Sequence, residues 1–221
     1  MNRKPDMFTK SGVEDYEKSR YRGIDQRFVD AREKTILNKI FDLTAAGPGI
    51  GLDIPCGYGR FSRLFVERGA SLVSSDYSFH MVKRARDRVP KAAGGGVVAD
   101  AKQRLPFRDR AATFLLSMRF FHHIHDPAER ESILGEFGRV TKNWVAASFY
   151  LASPFHLVQR SLRRRIKRRQ RRIKMISRKE LRKAASGAGL EIVKVYPVLR
   201  GIHAQHIILL KPIRNGTGAR P

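Results

Sequence analysis

The chain has 221 residues, 42% of them hydrophobic, which suits one α/β domain with a real core and excludes a disordered chain. Lys and Arg number 45 against 20 Asp and Glu, so the net charge is +25 and the expected partners are anionic: nucleic acid, an anionic membrane face or a phosphorylated substrate. Cys56 is the only cysteine, which excludes an internal disulfide and fits a reducing cytosol; residues 1–6 lead into no apolar segment, so no signal peptide is expected, and no run of about 18 apolar residues predicts a spanning helix.

Residues 1–44 read as lead-in. A polar stretch with Tyr16 and Tyr21 precedes an amphipathic helix over 25–43, marked by Phe28, Ile36, Leu37, Ile40 and Phe41. Ala45-Ala46-Gly47-Pro48-Gly49 breaks it, and one domain is expected over 45–211. Its first elements are a strand over 50–54, a glycine turn and a helix over 59–68 ending at Gly69. A second strand covers 72–76, and Ser78 caps a helix that Pro90 stops. Gly94-Gly95-Gly96 leads into a short strand over 97–100. Leu105-Pro106-Phe107 lies in a loop before a strand over 112–118. A helix over 127–140 carries Ile133, Leu134, Phe137 and Val140 on one face, and a strand over 144–150 follows. Residues 151–176 are an irregular start and a basic run. Ser177-Arg178-Lys179-Glu180 has the capping-box form and opens a helix ending near Gly187 or Gly189. Strands over 191–197 and 202–210 suit an antiparallel pair, and 212–221 reads as a loose tail. Near-continuous apolar strands alternating with helices predict an α/β fold with a parallel sheet buried on both faces.

Chemistry concentrates at the strand ends. Asp53, Asp76 and Asp100 end three successive strands, where ligands of open parallel sheets bind. Gly57-Tyr58-Gly59 follows the first, a turn that lets backbone approach a ligand at a helix N-terminus. Asp76, 17 residues past Gly59, is placed for ribose hydroxyls, and Asp100 for an exocyclic amine such as that of adenine. Ser62 stands where a nicotinamide fingerprint wants its third glycine, and Asp53 has no role in that fingerprint. A nucleoside bearing an amino acid explains Asp53 better, because its α-amino group is cationic.

Asp53-Ile54-Pro55-Cys56-Gly57-Tyr58-Gly59 resembles the first motif, Asp/Glu-x-Gly-x-Gly-x-Gly, of the class I S-adenosylmethionine-dependent methyltransferases. The resemblance covers roughly 48–150 well and 177–211 loosely. It implies a Rossmann-like fold: a mostly parallel seven-stranded sheet with helices on both faces and an antiparallel C-terminal strand. It implies S-adenosylmethionine as cofactor, with Asp76 as the ribose acid and Asp100-Ala101 on the adenine side. Asp53, Pro55, Gly57, Gly59, Tyr77 and Met118 complete the expected cofactor site. Pro55 departs from the motif, since it replaces the first Gly and has no N–H to donate. It either tunes the turn or weakens the site.

Strand 112–118 runs into Arg119-Phe120-Phe121-His122-His123-Ile124-His125-Asp126, a segment that flanks the methyl group in that family. His122 or His123 is the candidate general base for an O-methyl transfer, since imidazole titrates near neutrality. No spaced carboxylate or cysteine completes a metal site with His122, His123 and His125, so no metal is expected. Tyr16, Tyr21 and Arg22 are weaker candidates for covering the cofactor. Residues 160–183 hold 14 Lys and Arg and only Glu180 as acid, net +13, leaving +12 elsewhere. With Phe155, Val158, Leu162, Ile166, Ile173 and Ile176 near helical spacing, 155–176 reads as a basic amphipathic helix suited to an anionic membrane surface. The expected enzyme therefore methylates a small or lipid-linked anionic acceptor, in the cytoplasm or peripherally on the inner membrane face. Two rival readings stay open. One is an RNA methyltransferase; the other is a non-catalytic module that binds a membrane or nucleic acid.

Overall fold

The computed structural model describes residues 9, 12, 23–45, 48–91, 94–152, 174–201 and 203–214. The expectations placed on Tyr16, Tyr21 and Arg22, on most of the amphipathic run over 155–176 and on the tail past 214 lie outside the described residues; the end of that run, 174–176, is not helical, because Ile176 pairs with Leu151 in an isolated bridge. Helix α1 (Ile24–Thr44) leads into β1 (Gly49–Asp53), α2 (Ser62–Val66), β2 (Ala70–Asp76), α3 (Phe79–Asp87) and β3 (Gly94–Val98). There follow β4 (Ala112–Ser117), a 3-10 turn (Phe121–His123), α4 (Pro127–Val140), β5 (Thr141–Tyr150), α5 (Arg178–Gly187), β6 (Leu190–Pro197) and β7 (Gln205–Pro212).

The seven strands form one sheet in the order β3-β2-β1-β4-β5-β7-β6. Strands β1 to β5 run parallel, and β7 is antiparallel to both β5 and β6, so β7 alone is reversed. From β1 the chain moves outward through β2 and β3, then returns to β4 on the other side. That reversal puts the topological switch point, where open α/β sheets take their ligands, at the carboxyl ends of β1 and β4.

Alternation along the central strands feeds two cores. Leu115, Val145 and Ala147 join Phe137, Leu181 and Ile208 on one face. Phe114, Leu116 and Ala146 join Ile36, Leu37, Ile40, Phe41 and Phe65 on the other. Phe41 of α1 stacks on Phe114 with ring centres 4.7 Å apart. Helix α1 thus closes one face of the sheet through its apolar stripe, although Phe28, earlier in that helix, is 56% exposed. The cap signals hold. The Ser78 hydroxyl accepts from the Met81 N–H, and Ser177 with Glu180 forms the full reciprocal capping box.

Two expected elements differ. The helix over 59–68 is shorter, because Gly59 sits at φ 78 in the left-handed region and the helix starts only at Ser62. The third strand begins at Gly94, because its glycines belong inside the sheet rather than ahead of it. A Cβ on Gly94 would lie 1.9 Å from the Leu72 carbonyl oxygen, and one on Gly96 would meet the Val82 side chain at 2.5 Å. Strand and helix approach too closely there for a side chain.

Candidate cofactor turn and reaction corner

The glycine turn is held by backbone donors. The Ile54 N–H donates to the Leu116 carbonyl at 2.9 Å, and the Cys56 N–H to that of Ser75 at 2.8 Å. The Gly57 N–H donates to Asp76 Oδ2 and the Ser78 N–H to Asp76 Oδ1, both at 3.0 Å. Pro55 sits between these donors, so the turn is tied down on both sides of the residue that lacks one. A Cβ on Gly57 would meet nothing within 4 Å among the described residues, which leave the turn open above it. A Cβ on Gly59 would come within 2.6 Å of the Ala85 Cα, so Gly59 allows the turn to seat against α3.

Asp53 lies beneath this turn and is fully buried, and its Oδ2 has no hydrogen-bond partner among the described residues. Burial pushes its carboxyl up to about 8, the charge on Asp76 adds to the push, and Arg60 opposes it. The structure therefore brings Asp53 and Asp76 together at adjacent strand ends. Asp100 follows β3, where its Oδ1 accepts the Lys102 N–H at 3.0 Å, and Ala101 beside it is buried. Tyr77 is 56% exposed next to Asp76, while Met118 is buried at the end of β4 among Phe61 and Leu64.

The candidate reaction corner, expected at His122 and His123, lies past β4. His122 and His123 occupy the 3-10 turn with ring centres 3.9 Å apart. His122 is half-buried and 5.1 Å from the Tyr150 ring at the end of β5; His123 is exposed. Tyr150 in turn lies 5.7 Å from His203. The Gln205 N–H donates to His203 Nδ1 at 3.2 Å, which leaves the proton of the neutral ring on Nε2. The buried Arg130 of α4 donates to the Ile124 carbonyl at 3.1 Å and so fixes the loop carrying the histidines. His125 is exposed.

Sequence reasoning missed the group that joins these two regions. Glu33 of α1 is fully buried and accepts from Arg119 Nε and Nη2, both at 3.0 Å, from Arg60 Nη2 and from Gln205 Nε2. Burial pushes its carboxyl up, but Arg60 and Arg119 outweigh that and hold it below the usual carboxylate range. The available signal was an acid inside an apolar stripe, three and four residues ahead of Ile36 and Leu37.

Residues 52–144 match the family model described as a methyltransferase domain. Over 96 residues the chain is 34% identical to a demethylmenaquinone methyltransferase of Thermobifida fusca, an overlap of 41% of this chain and 38% of that protein. Over 92 residues it is 33% identical to a malonyl-[acyl-carrier protein] O-methyltransferase of Hamiltonella defensa, an overlap of 42% of this chain and 33% of that one. The chain thus spans about a third of the length of these curated relatives. Its fold is similar to magnesium protoporphyrin IX methyltransferase of Synechocystis PCC 6803, crystallised with bound SAH. The TM-score is 0.75 and the identity 15%, covering 94% of this chain and 97% of that one. Residues 52–144 thus match a methyltransferase-domain model, and the fold is similar to that of S-adenosylmethionine-dependent methyltransferases of known structure.

The residues present fit that cofactor. S-adenosylmethionine carries a sulfonium and an ammonium. Asp53 offers a buried carboxylate with an unpartnered oxygen, and a nearby cation would favour its charged form. The space above Gly57 leaves room for a ligand to approach the backbone.

Proposed function

We propose that the protein is an S-adenosylmethionine-dependent methyltransferase that acts at oxygen on a small or lipid-linked anionic acceptor. The observation that carries this reading is the buried Asp53 carboxylate beside Asp76, under a glycine turn open above Gly57. The bound cofactor supplies a methyl group activated on a sulfonium. Asp76 is already oriented by the Gly57 and Ser78 N–H groups, so its carboxylate is preset to accept ribose hydroxyls. Asp53 neutralises the cationic end. Pro55, Gly57 and Gly59 shape the turn, and Tyr77, Asp100, Ala101 and Met118 flank the nucleoside.

At the reaction corner His122 takes the acceptor's proton. Its ring is packed by Tyr150 and its loop is fixed by Arg130, so the imidazole is held in one orientation. His123, exposed beside it, passes the proton to water. Oxygen as the methylated atom draws support from the relative named as an O-methyltransferase. The lipid-linked or carrier-linked acceptor draws support from both curated relatives' names. The basic charge of 155–183 suits an anionic acceptor or membrane face and supports a cytoplasmic enzyme that binds peripherally to the inner membrane face.

Calorimetry with S-adenosylmethionine tests the cofactor reading. Wild type binds, and Asp76→Ala weakens binding at least about tenfold, or roughly 1.4 kcal/mol. No binding by wild type, or unchanged binding by the variant, overturns it. Radiolabelled methyl transfer into a fractionated cell extract identifies the acceptor. His122→Gln retains cofactor binding and loses about a hundredfold in transfer if His122 is the base. Label recovered in RNA replaces the lipid-linked reading.

A further inference from the structure

Glu33 stands ahead of the matched residues 52–144, in a helix whose inner face is otherwise apolar. Its four hydrogen bonds come from three separate places: the glycine turn through Arg60, the loop after β4 through Arg119, and the start of β7 through Gln205. A carboxylate has about four acceptor sites, so Glu33 is saturated. Oε2 accepts from both guanidinium groups at once. Asp30, less than one turn earlier, pairs with Arg60 Nη1 at 3.1 Å. Arg119 itself has φ 56, and its N–H donates to the Ser148 hydroxyl at 2.6 Å.

Stability alone does not explain this carboxylate. A buried ion pair is often no more stabilising than well-packed apolar side chains of similar volume. A leucine at position 33 would extend the stripe of Ile36, Leu37 and Ile40 against the sheet. What a leucine cannot do is hold two guanidinium groups side by side. Without an anion between them, Arg60 and Arg119 repel, and the two loops that carry them separate.

We propose that Glu33 is a positioning residue. Through Arg60 and Arg119 it sets the spacing between the glycine turn and the His122 loop, and so registers the cofactor against the reaction corner. Its functional consequence rests on the methyltransferase reading above; its geometry does not.

The test is amide hydrogen exchange of the ligand-free protein, with calorimetric S-adenosylmethionine binding alongside. E33Q speeds exchange about tenfold or more in both 57–62 and 119–124 and leaves the β5 core at 145–149 unchanged. It also weakens S-adenosylmethionine binding, and adding R119Q to E33Q changes binding less than about twofold, because Arg119 acts through Glu33. R119K keeps the charge and loses the planar fork. It loosens 119–124 and leaves 57–62 protected, and it carries the test if E33Q does not fold. The proposal is overturned if either variant leaves its loops as protected as wild type, or if exchange rises equally in β5. If wild type binds no S-adenosylmethionine, the methyltransferase reading falls, and the exchange pattern alone decides the role of Glu33.

Discussion

Asp53 holds a proton in the folded protein that the unfolded chain gives up. Its folded pKa of about 8 results first from burial and then from the charge on Asp76. An unfolded aspartate titrates near 3.9. The folded state therefore binds more protons through that window, and stability falls as pH rises from about 4 to 8. Asp53→Asn keeps the shape and removes the titration. It should melt above wild type at about pH 8.5, with the gap closing near pH 5. Binding of a cation should expel the proton at neutral pH. Heats of S-adenosylmethionine binding should then differ between phosphate and Tris buffers for wild type and agree for Asp53→Asn. Equal wild-type heats would count against a cation at Asp53. That Asp53, Gly57, Gly59 and Asp76 come together was legible because they lie at neighbouring strand ends within one βαβ unit. Glu33 was not, since Arg60, Arg119 and Gln205 lie 27, 86 and 172 residues away. Periodicity shows only that an acid interrupts a stripe; it does not show what waits on the other side.

At the scale of elements, apolar periodicity and caps located most pieces. It failed where glycine serves close packing rather than a turn. The run Gly94-Gly95-Gly96 reads as a linker, yet it pairs with Leu72, Val73 and Ser74 of β2. The packing predicts unequal tolerance among the three. Gly94→Ala would drive its Cβ to 1.9 Å from the Leu72 carbonyl oxygen at φ 129, whereas a Cβ on Gly95 meets nothing within 4 Å among the described residues. Denaturant unfolding should show Gly94→Ala losing about 3 kcal/mol or more and Gly95→Ala staying within about 1 kcal/mol. The reverse order would mean that β3 does not sit in this register. Ser177→Ala is a milder case. It removes half of the capping box of α5 and should lower stability by about 1 kcal/mol in the same assay.

For the whole molecule, the alternation of strands and helices announced a parallel sheet and the family resemblance implied seven strands, but the order β3-β2-β1-β4-β5-β7-β6 is visible only in the structure. No local pattern encodes which strands become neighbours. Charge is the property the fold leaves unexplained. Helix α5 exposes Arg178, Lys179, Arg182 and Lys183, and its one acid, Glu180, is engaged in capping. Arg178 and Lys179 lie in the first turn, where the helix dipole disfavours cations. The same segment returns to the sheet beside the reaction corner: the Ala152 N–H donates to the Ile176 carbonyl at 2.9 Å and the Lys174 N–H to that of His122 at 3.4 Å. A surface drawn to these cations would lie next to the histidines. Each Lys or Arg near an anionic bilayer contributes about 1 kcal/mol, and the Debye length shrinks from about 10 Å at 0.1 M salt to about 3 Å at 1 M. The protein should therefore float with phosphatidylglycerol vesicles at about 0.1 M salt, leave them at about 1 M and ignore phosphatidylcholine vesicles. Replacing the four α5 cations by Gln should weaken flotation at least about tenfold, the remaining attraction coming from 160–174. Binding that resists salt would point to apolar insertion rather than charge. Retention on RNA with no flotation would move the acceptor from a lipid-linked molecule to a nucleic acid.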